Sequence, residues 1–94
     1  MEVSVKIFLF ATLREKYGVK ELNVRCNGTI RSLIENAAKI VGESFINDVL
    51  DKSMENVRDD LIFMINGRNI KDIKGKIEIR NGDVVAIFPP FAGG

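Results

Sequence analysis

Hydrophobic and polar positions at the start of the chain alternate with a period of two, which predicts a β-strand over residues 3–10. The odd positions are all aliphatic: Val3, Val5, Ile7 and Leu9. The even positions are mixed: Ser4, Lys6, Phe8 and Phe10. Because the charged Lys6 disfavours burial of its own face, the aliphatic face is expected to pack on the core. Phe8 and Phe10 are therefore predicted to point away from the main core.

The rest of the chain divides into short helical and strand-like segments separated by turn residues. In order they are a short helix over 11–17 that Gly18 ends, a strand over 21–26, a helix after Thr29 that Gly42 ends, a shorter helix after Ser44, a strand over 61–65, a return segment over 69–73, a short strand or turn over 76–79, and a final strand over 84–88. The helix after Thr29 has apolar residues at three- and four-residue steps: Ile30, Leu33, Ile34, Ala37 and Val41. We expect this helix to be the main one.

Polar residues at the segment boundaries predict caps and turns. Thr29 and Ser44 are each expected to cap the helix that follows them. Asn66-Gly67 predicts a tight hairpin turn after the strand over 61–65. The shorter helix is expected to face the core with Ile46, Val49 and Leu50 and solvent with Asp48, Asp51 and Lys52. Met54 and Met64 are expected to fill gaps in the core.

One mixed sheet that clasps one main helix satisfies these elements most economically, which predicts an α+β fold. Pairing of the first strands with the last strand places the segment 84–88 in the centre of the sheet. Pro89-Pro90 cannot donate backbone hydrogen bonds, so the ladder is expected to end there and the chain to leave in an extended form. From Pro89 onward the chain can reach at most about 20 Å. We predict one domain over residues 1–90, followed by a reactive tail over 91–94.

Composition excludes several classes of function. Hydrophobic residues make up 46% of the chain and charged residues 29%, and the apolar runs fall far short of a membrane span. A net charge of +1 gives no broad basic surface for nucleic acid. The absence of histidine removes Ser-His-Asp machinery and most zinc sites, so we predict no metal site. No glycine-rich phosphate loop is present, and any ATP chemistry would therefore need a partner that holds the nucleotide.

The amino-terminal segment and the cysteine content indicate a cytoplasmic protein. The first residues lack the basic start, apolar stretch and cleavage site of a secretory signal. The single cysteine, Cys26, cannot build a disulfide framework, as expected for a reducing compartment. No histidine is available to activate the Cys26 thiol, and we therefore expect it to be an ordinary packed side chain.

The last residues, Phe91-Ala92-Gly93-Gly94, place one bulky side chain before three small residues. Because glycine has no Cβ, such an end can thread a narrow channel and bring the Gly94 carboxylate to a nucleotide bound on another enzyme. Gly94 is therefore the candidate reactive residue. The alternative is a frayed terminus without a function.

Three segments resemble the MoaD family, the small subunit of molybdopterin synthase. They are the closing segment 81–94 with its Phe-Pro-Pro-Phe-Ala-Gly-Gly end, the opening segment Ile7-Phe8-Leu9-Phe10-Ala11-Thr12-Leu13-Arg14-Glu15, and the hairpin Ile65-Asn66-Gly67-Arg68. The resemblance implies a ubiquitin-like β-grasp fold, with a mixed sheet on one main helix and a flexible C-terminal Gly-Gly tail. The region 42–60 is less characteristic and longer than in the most compact members, which leaves room for a partner-specific role.

The resemblance implies a carrier rather than an enzyme complete in itself. An adenylating enzyme of the MoeB or ubiquitin-activating type would supply ATP and magnesium and transfer AMP to Gly94. Sulfur from a persulfide would then replace AMP and leave a thiocarboxylate, which delivers sulfur to the molybdopterin precursor on the large subunit of the synthase. No cofactor would be bound by this chain itself.

The same comparison gives each site residue a role. Gly93 and Gly94 would be the threaded tail, Ala92 a spacer, and Phe91 the first bulky residue outside the channel. Phe8, Phe10 and Phe88 would form an apolar docking patch for the partner, although Phe8 is equally well explained as cover for a secondary core. Other functions use the same tail: a ubiquitin-like modifier joined to lysines through Gly94, or a sulfur carrier for thiamine or for tRNA thiolation.

Overall fold

The structure is a computed structural model and describes residues 2–90 of the chain. The strands are β1 (Val3–Leu9), β2 (Glu21–Cys26), β3 (Ile62–Ile65), β4 (Arg68–Asn69) and β5 (Val84–Phe88). The helices are α1 (Ala11–Tyr17), α2 (Ile30–Val41) and α3 (Ser44–Val49), with a 3-10 turn over Ile70–Asp72. The sequence-based bounds of α1, β2 and β5 are confirmed, and β3 begins one residue later than expected.

The five strands form one mixed sheet in the order β2-β1-β5-β3-β4. β1 runs antiparallel to β2 and parallel to β5, and β3 runs antiparallel to both β5 and β4. The final strand β5 is therefore central, as predicted. It ends at Phe88, directly before Pro89, which has no N–H to continue the ladder.

The core lies between one face of this sheet and α2. The aliphatic positions of β1 face it, as the alternation predicted, and Val5, Ile7 and Leu9 are buried. From α2 come Leu33, Ile34, Ala37 and Ala38, and from the other strands come Leu22, Val24, Phe63, Ile65, Val85 and Ile87. Leu33, Ile34 and Ala37 lie on the apolar stripe read from the sequence, which confirms α2 as the main helix over the sheet.

α2 begins after Thr29 and ends before Gly42, as the sequence predicted. The Thr29 side chain accepts a hydrogen bond from the Ser32 N–H at 3.1 Å, as a helix cap does. Gly42 follows the helix with φ of 130°, a conformation that L side chains rarely adopt. The Asn66-Gly67 turn also forms as predicted, since both residues have positive φ and Ile65 pairs with Arg68.

Ser44 is not the cap that the sequence predicted. It is the first residue of α3, where Glu43 occupies the capping position and makes no side-chain cap bond. The Ser44 hydroxyl instead lies 2.9 Å from the Tyr17 hydroxyl on α1. Phe45, which the pattern did not mark as inward, is completely buried, together with the expected Val49 and Leu50.

Two further expectations are wrong. The segment 76–79, expected to be a short strand or turn, forms neither, although Ile79 is buried and its N–H donates to the Gly28 carbonyl at 2.9 Å. Met64 pairs with Ala86 on the face of the sheet opposite α2, so it does not fill the core, whereas Met54 packs against the core as predicted.

Candidate functional site

The face of the sheet opposite α2 carries a continuous apolar surface, here called the outer patch. Its members are Phe8, Phe10, Ile62, Met64, Val84, Ala86 and Phe88. Strand register brings them together, because Phe8 and Met64 both lie opposite Ala86, and Ile62 lies opposite Phe88. Ile62 is 40% exposed and Val84 38% exposed, which makes them two of the three most exposed large hydrophobic residues in the described part of the chain. Such a surface is typical of a contact site for another protein.

Phe10 and Phe88 form the end of the outer patch that adjoins the tail. Their rings stack with centroids 4.2 Å apart and planes 10° from parallel. The Phe10 N–H donates to the Ile87 carbonyl at 3.3 Å, which extends the pairing of β1 with β5 by one residue. The Arg14 guanidinium lies over the Phe10 ring, with Cζ 5.6 Å from the ring centroid. The prediction that Phe8 and Phe10 point away from the core is confirmed, and Phe88 joins them.

The root of the tail, Pro89-Pro90, borders a cleft of about 300 Å³. The cleft is lined by Thr12, Leu13, Lys16, Asp48, Arg58, Leu61, Pro89 and Pro90. Charged side chains of α1 and of the segment 42–60 therefore meet at the point where the chain leaves the sheet. Phe91, Ala92, Gly93 and Gly94 lie outside the described residues, and their roles stay predictions.

A polar network beside this cleft joins α1 to α3. The Lys16 ammonium lies 2.8 Å from the Asp48 carboxylate, and the Tyr17 hydroxyl donates to the same oxygen. The Tyr17 ring also packs edge-on against the buried Phe45, with centroids 5.3 Å apart. Sequence reasoning placed Asp48 on a solvated face, and the helical pattern contains no signal for this network because its members are far apart in the sequence.

The network shifts the pKa values of its members. Burial by itself raises the pKa of Asp48, but the hydrogen bonds from Lys16 and Tyr17 outweigh burial and lower that pKa below its usual range. Burial, and then the bond to the Asp48 carboxylate, raise the pKa of Tyr17. The ionised form of Asp48 is therefore the one that holds α1 and α3 together at neutral pH.

Arg58 makes contacts within the segment 42–60, close to the same network. Its guanidinium donates to the carbonyls of Asn47 and Asp48 near the end of α3, both at 3.5 Å. It also forms an ion pair with Asp60 at 2.6 Å. Arg58 also lines the cleft beside Pro89 and Pro90, so the segment 42–60 borders the root of the tail.

Cys26 is the buried thiol that the sequence predicted. It is the last residue of β2, faces the core and is 2% exposed. Burial raises the pKa of the Cys26 thiol, and the nearby Glu2 carboxylate adds to the rise. The thiol lies on the side of the sheet away from the outer patch.

Within residues 2–90, no three His, Cys, Asp or Glu side chains converge as metal ligands would. None of the helices in this part of the chain is long and apolar enough to cross a membrane.

Comparison with known proteins connects these features to a family. The sequence profile of the ThiS family matches residues 7–94. The molybdopterin synthase sulfur carrier subunit of Anopheles gambiae is 31% identical over 93 residues, which cover 98% of this chain and 93% of that protein.

Two solved structures are similar over nearly their whole length. Small archaeal modifier protein 1 from Methanosarcina acetivorans has a TM-score of 0.78 at 25% identity and covers 100% of this chain and 99% of its own. The putative molybdopterin converting factor, subunit 1, from Pyrococcus furiosus has a TM-score of 0.65 at 30% identity. The match covers 95% of this chain and 99% of the Pyrococcus furiosus chain.

The ubiquitin-like β-grasp fold that the resemblance implied is confirmed by these structural similarities. The segments on which the resemblance to MoaD-type proteins was based all lie within the matched range. Since the profile covers nearly the whole chain, the protein belongs to the ThiS family.

Proposed function

We propose that this protein is the sulfur carrier subunit of a molybdopterin synthase, with the Gly94 carboxyl group as the site of sulfur loading. The observation that carries the proposal is the similarity to relatives named molybdopterin synthase sulfur carrier subunit, which extends over 98% of the chain. The geometry supports it, because the central strand β5 leads from the outer patch to Pro89-Pro90, and the sequence ends four residues later at Gly94.

Loading takes place in three steps. A carboxylate oxygen of Gly94 attacks the α-phosphorus of ATP, pyrophosphate leaves, and an acyl adenylate forms. The terminal sulfur of a persulfide on the sulfur donor attacks the acyl carbon, AMP leaves, and an acyl disulfide links carrier and donor. A second thiol attacks the donor's sulfur in this disulfide. The Gly94 thiocarboxylate is released, and a disulfide remains between the second thiol and the sulfur donor. The thiocarboxylate sulfur then attacks a carbon of the molybdopterin precursor and displaces an oxygen leaving group, which forms a thioester. Water hydrolyses this thioester, which leaves the sulfur on the precursor and regenerates the Gly94 carboxylate.

Partner proteins supply the catalytic side chains for these steps. This chain has no histidine, and its one thiol is buried. ATP and magnesium belong to the adenylating enzyme, and the precursor belongs to the large subunit of the synthase. The carrier contributes the outer patch for docking, through Phe8, Phe10 and Phe88, and the tail for delivery. We place this exchange in the cytoplasm.

A second function has an observation of its own. The structure of small archaeal modifier protein 1 from Methanosarcina acetivorans covers the whole chain at a TM-score of 0.78. In a modifier, a lysine amine of a target protein attacks the activated Gly94 carbonyl, AMP leaves, and an isopeptide bond forms. Both functions begin with the same adenylate and diverge only in the nucleophile.

Intact-mass spectrometry of the protein from its own cells distinguishes the two. Replacement of one carboxyl oxygen by sulfur adds about 16 Da, and fragmentation places the gain within residues 91–94 if the carrier function is correct. A Cys26→Ser variant is the control, because a persulfide on Cys26 would instead add about 32 Da. Gly-Gly remnants on lysines of other proteins, without the gain at Gly94, support the modifier. If neither the mass gain nor the Gly-Gly remnants are found, both proposed functions are rejected.

A further inference from the structure

The outer edge of the sheet at β2 exposes backbone hydrogen-bonding groups. β2 is the first strand in the sheet order, and within residues 2–90 it pairs only with β1. The Leu9 N–H donates to the Lys20 carbonyl at 3.0 Å, so Lys20 directs its backbone groups toward β1. Because the direction alternates along an antiparallel strand, Glu21, Asn23 and Arg25 direct theirs away from β1.

An independent contact confirms this direction. The Arg25 carbonyl accepts a hydrogen bond at 2.8 Å from the side-chain amide of Asn36 on α2, and not from β1. A carbonyl oxygen has two lone pairs, and the bond from Asn36 therefore leaves one site for a second donor.

The side chains on this edge carry a self-complementary charge pattern. Glu21, Asn23 and Arg25 are exposed and lie on the face of the sheet that carries the outer patch. Glu21 lies two residues before Asn23, and Arg25 lies two residues after it. Their intramolecular partners are weak competitors, since Glu21 meets Lys6 at 3.3 Å and Arg25 meets Glu2 at 3.4 Å in exposed ion pairs.

We propose that a second copy of this chain pairs with β2 in antiparallel fashion, with a two-fold axis at Asn23. In this register Glu21 lies opposite Arg25 of the second copy, and Arg25 opposite its Glu21. Each of these pairs, and the Asn23 pair, exchanges two backbone hydrogen bonds through the groups that point outward. A two-fold axis at Glu21 or at Arg25 would instead bring like charges together, which disfavours those registers.

The dimer leaves the rest of the molecule accessible. The two-fold axis is perpendicular to the sheet, so both outer patches lie on the same side of a ten-stranded sheet. The two tails leave at opposite ends, because β5 is parallel to β1 and the second copy runs in the opposite direction. The proposal does not depend on the sulfur carrier function.

Sedimentation velocity of the full chain over a concentration series tests the proposal. Because one strand pair buries less than the roughly 1,200 Å² of a standard interface, we expect a reversible dimer with a Kd on the order of 100 µM. Arg25→Glu and Glu21→Arg each convert two symmetry-related attractions into repulsions and should weaken dimerisation by about tenfold or more. The double variant Glu21→Arg with Arg25→Glu restores both attractions and should return the Kd to within about threefold of the original.

A second pair of variants tests the backbone contact. Asn23→Pro removes an N–H that points away from β1, so the fold should persist while dimerisation is lost. Asn23→Ala keeps that N–H and should dimerise. A chain that stays monomeric to about 1 mM, or single charge reversals without effect, would overturn the proposal. So would a folded double-swap variant that fails to dimerise.

Discussion

Phe10 and Phe88 stack with their ring centroids 4.2 Å apart, although they lie almost at opposite ends of the sequence. Phe10 directly precedes α1, and Phe88 directly precedes the root of the tail. Parallel pairing of β1 with β5 places them side by side, since Leu9 lies opposite Ile87. The contact therefore joins the start of α1 to the point where the tail leaves the domain.

We expect this contact to contribute measurable coupling to folding. In a double-mutant cycle with Phe10→Ala, Phe88→Ala and the double variant, the two side chains should couple by about 1 kcal/mol, as stacked aromatic pairs do. The free energy of unfolding in urea gives the value. Strictly additive losses would show that the stack is only a consequence of strand pairing.

The outer patch should bind the partner, and the chain offers a matched control for this. Ile62 is 40% exposed in the outer patch, whereas Ile40 on α2 is 60% exposed on a different side of the molecule. Ile62→Asp introduces a charge that loses its solvation on docking and should weaken binding to the large subunit by at least about tenfold. Ile40→Asp makes the same chemical change and should leave affinity unaltered.

Isothermal titration with the purified large subunit measures both variants, and circular dichroism confirms that they fold. Phe10→Asp belongs to the same series and should behave like Ile62→Asp. Equal losses from the variants at Ile62 and Ile40 would assign the effect to the fold and not to docking.

The sequence predicted part of this surface for a physical reason. In β1 the aliphatic residues occupy every second position, and Phe8 and Phe10 occupy positions between and after them. Because the aliphatic face is buried, Phe8 and Phe10 must lie on the opposite face of the sheet. In β3 every residue from Ile62 to Ile65 is apolar, and a strand without polar positions gives no signal for which face is inward. The expectation that Met64 fills a gap in the core is therefore corrected only by its pairing with Ala86, which shows that it lies in the outer patch.

Stability at low pH should report on Asp48. Its pKa is lowered in the folded state, because the bonds from Lys16 and Tyr17 outweigh the effect of burial. Its contribution is therefore present above the ordinary aspartate pKa near 4 and is lost as the pH falls through the lower folded value. Asp48→Asn should cost about 1 kcal/mol at pH 7 and progressively less below about pH 4.

Urea unfolding between about pH 7 and pH 2 measures this difference. Tyr17→Phe removes one donor and should reproduce part of the effect. Asp59→Asn is the matched control in the same segment, since that side chain is exposed and has no hydrogen bond within residues 2–90. A constant difference between the original protein and Asp48→Asn at all pH values would contradict the assignment.

The contacts around Asp48 also show what the sequence could not predict. Periodicity identified α3, its buried residue Val49 and the buried Leu50 that follows it. It could not show that Ser44 and Asp48 turn toward Tyr17, because that depends on how α1 and α3 pack after the sheet has formed. Phe45 is buried for the same reason, since the Tyr17 ring covers it from another element.

Gly28 should tolerate a side chain less well than Gly82. Both have positive φ, 95° and 88°, so alanine carries a similar backbone penalty of about 1 kcal/mol at each position. A Cβ at Gly28 would also lie 3.2 Å from the Ile79 carbonyl oxygen, whereas nothing lies within 4 Å of one at Gly82. Gly28→Ala should therefore lower the free energy of unfolding by about 1 kcal/mol more than Gly82→Ala, as measured in urea.

Gly93→Val tests whether the tail must pass through a narrow channel. The variant separates entry of the tail into the activating enzyme from docking of the domain on that enzyme. A β-branched side chain next to Gly94 cannot enter a channel sized for glycine, so adenylation by the activating enzyme should fall by at least about a hundredfold. Docking through the outer patch does not involve Gly93, and the affinity for that enzyme should stay within about threefold of the original. ATP–pyrophosphate exchange measures the rate, and titration of the same enzyme measures the affinity.

Ile62→Asp should show the reverse, with weaker binding but a nearly normal rate at saturation, because its tail is unchanged. Normal adenylation of Gly93→Val would reject the channel and leave the outer patch as the only determinant of recognition.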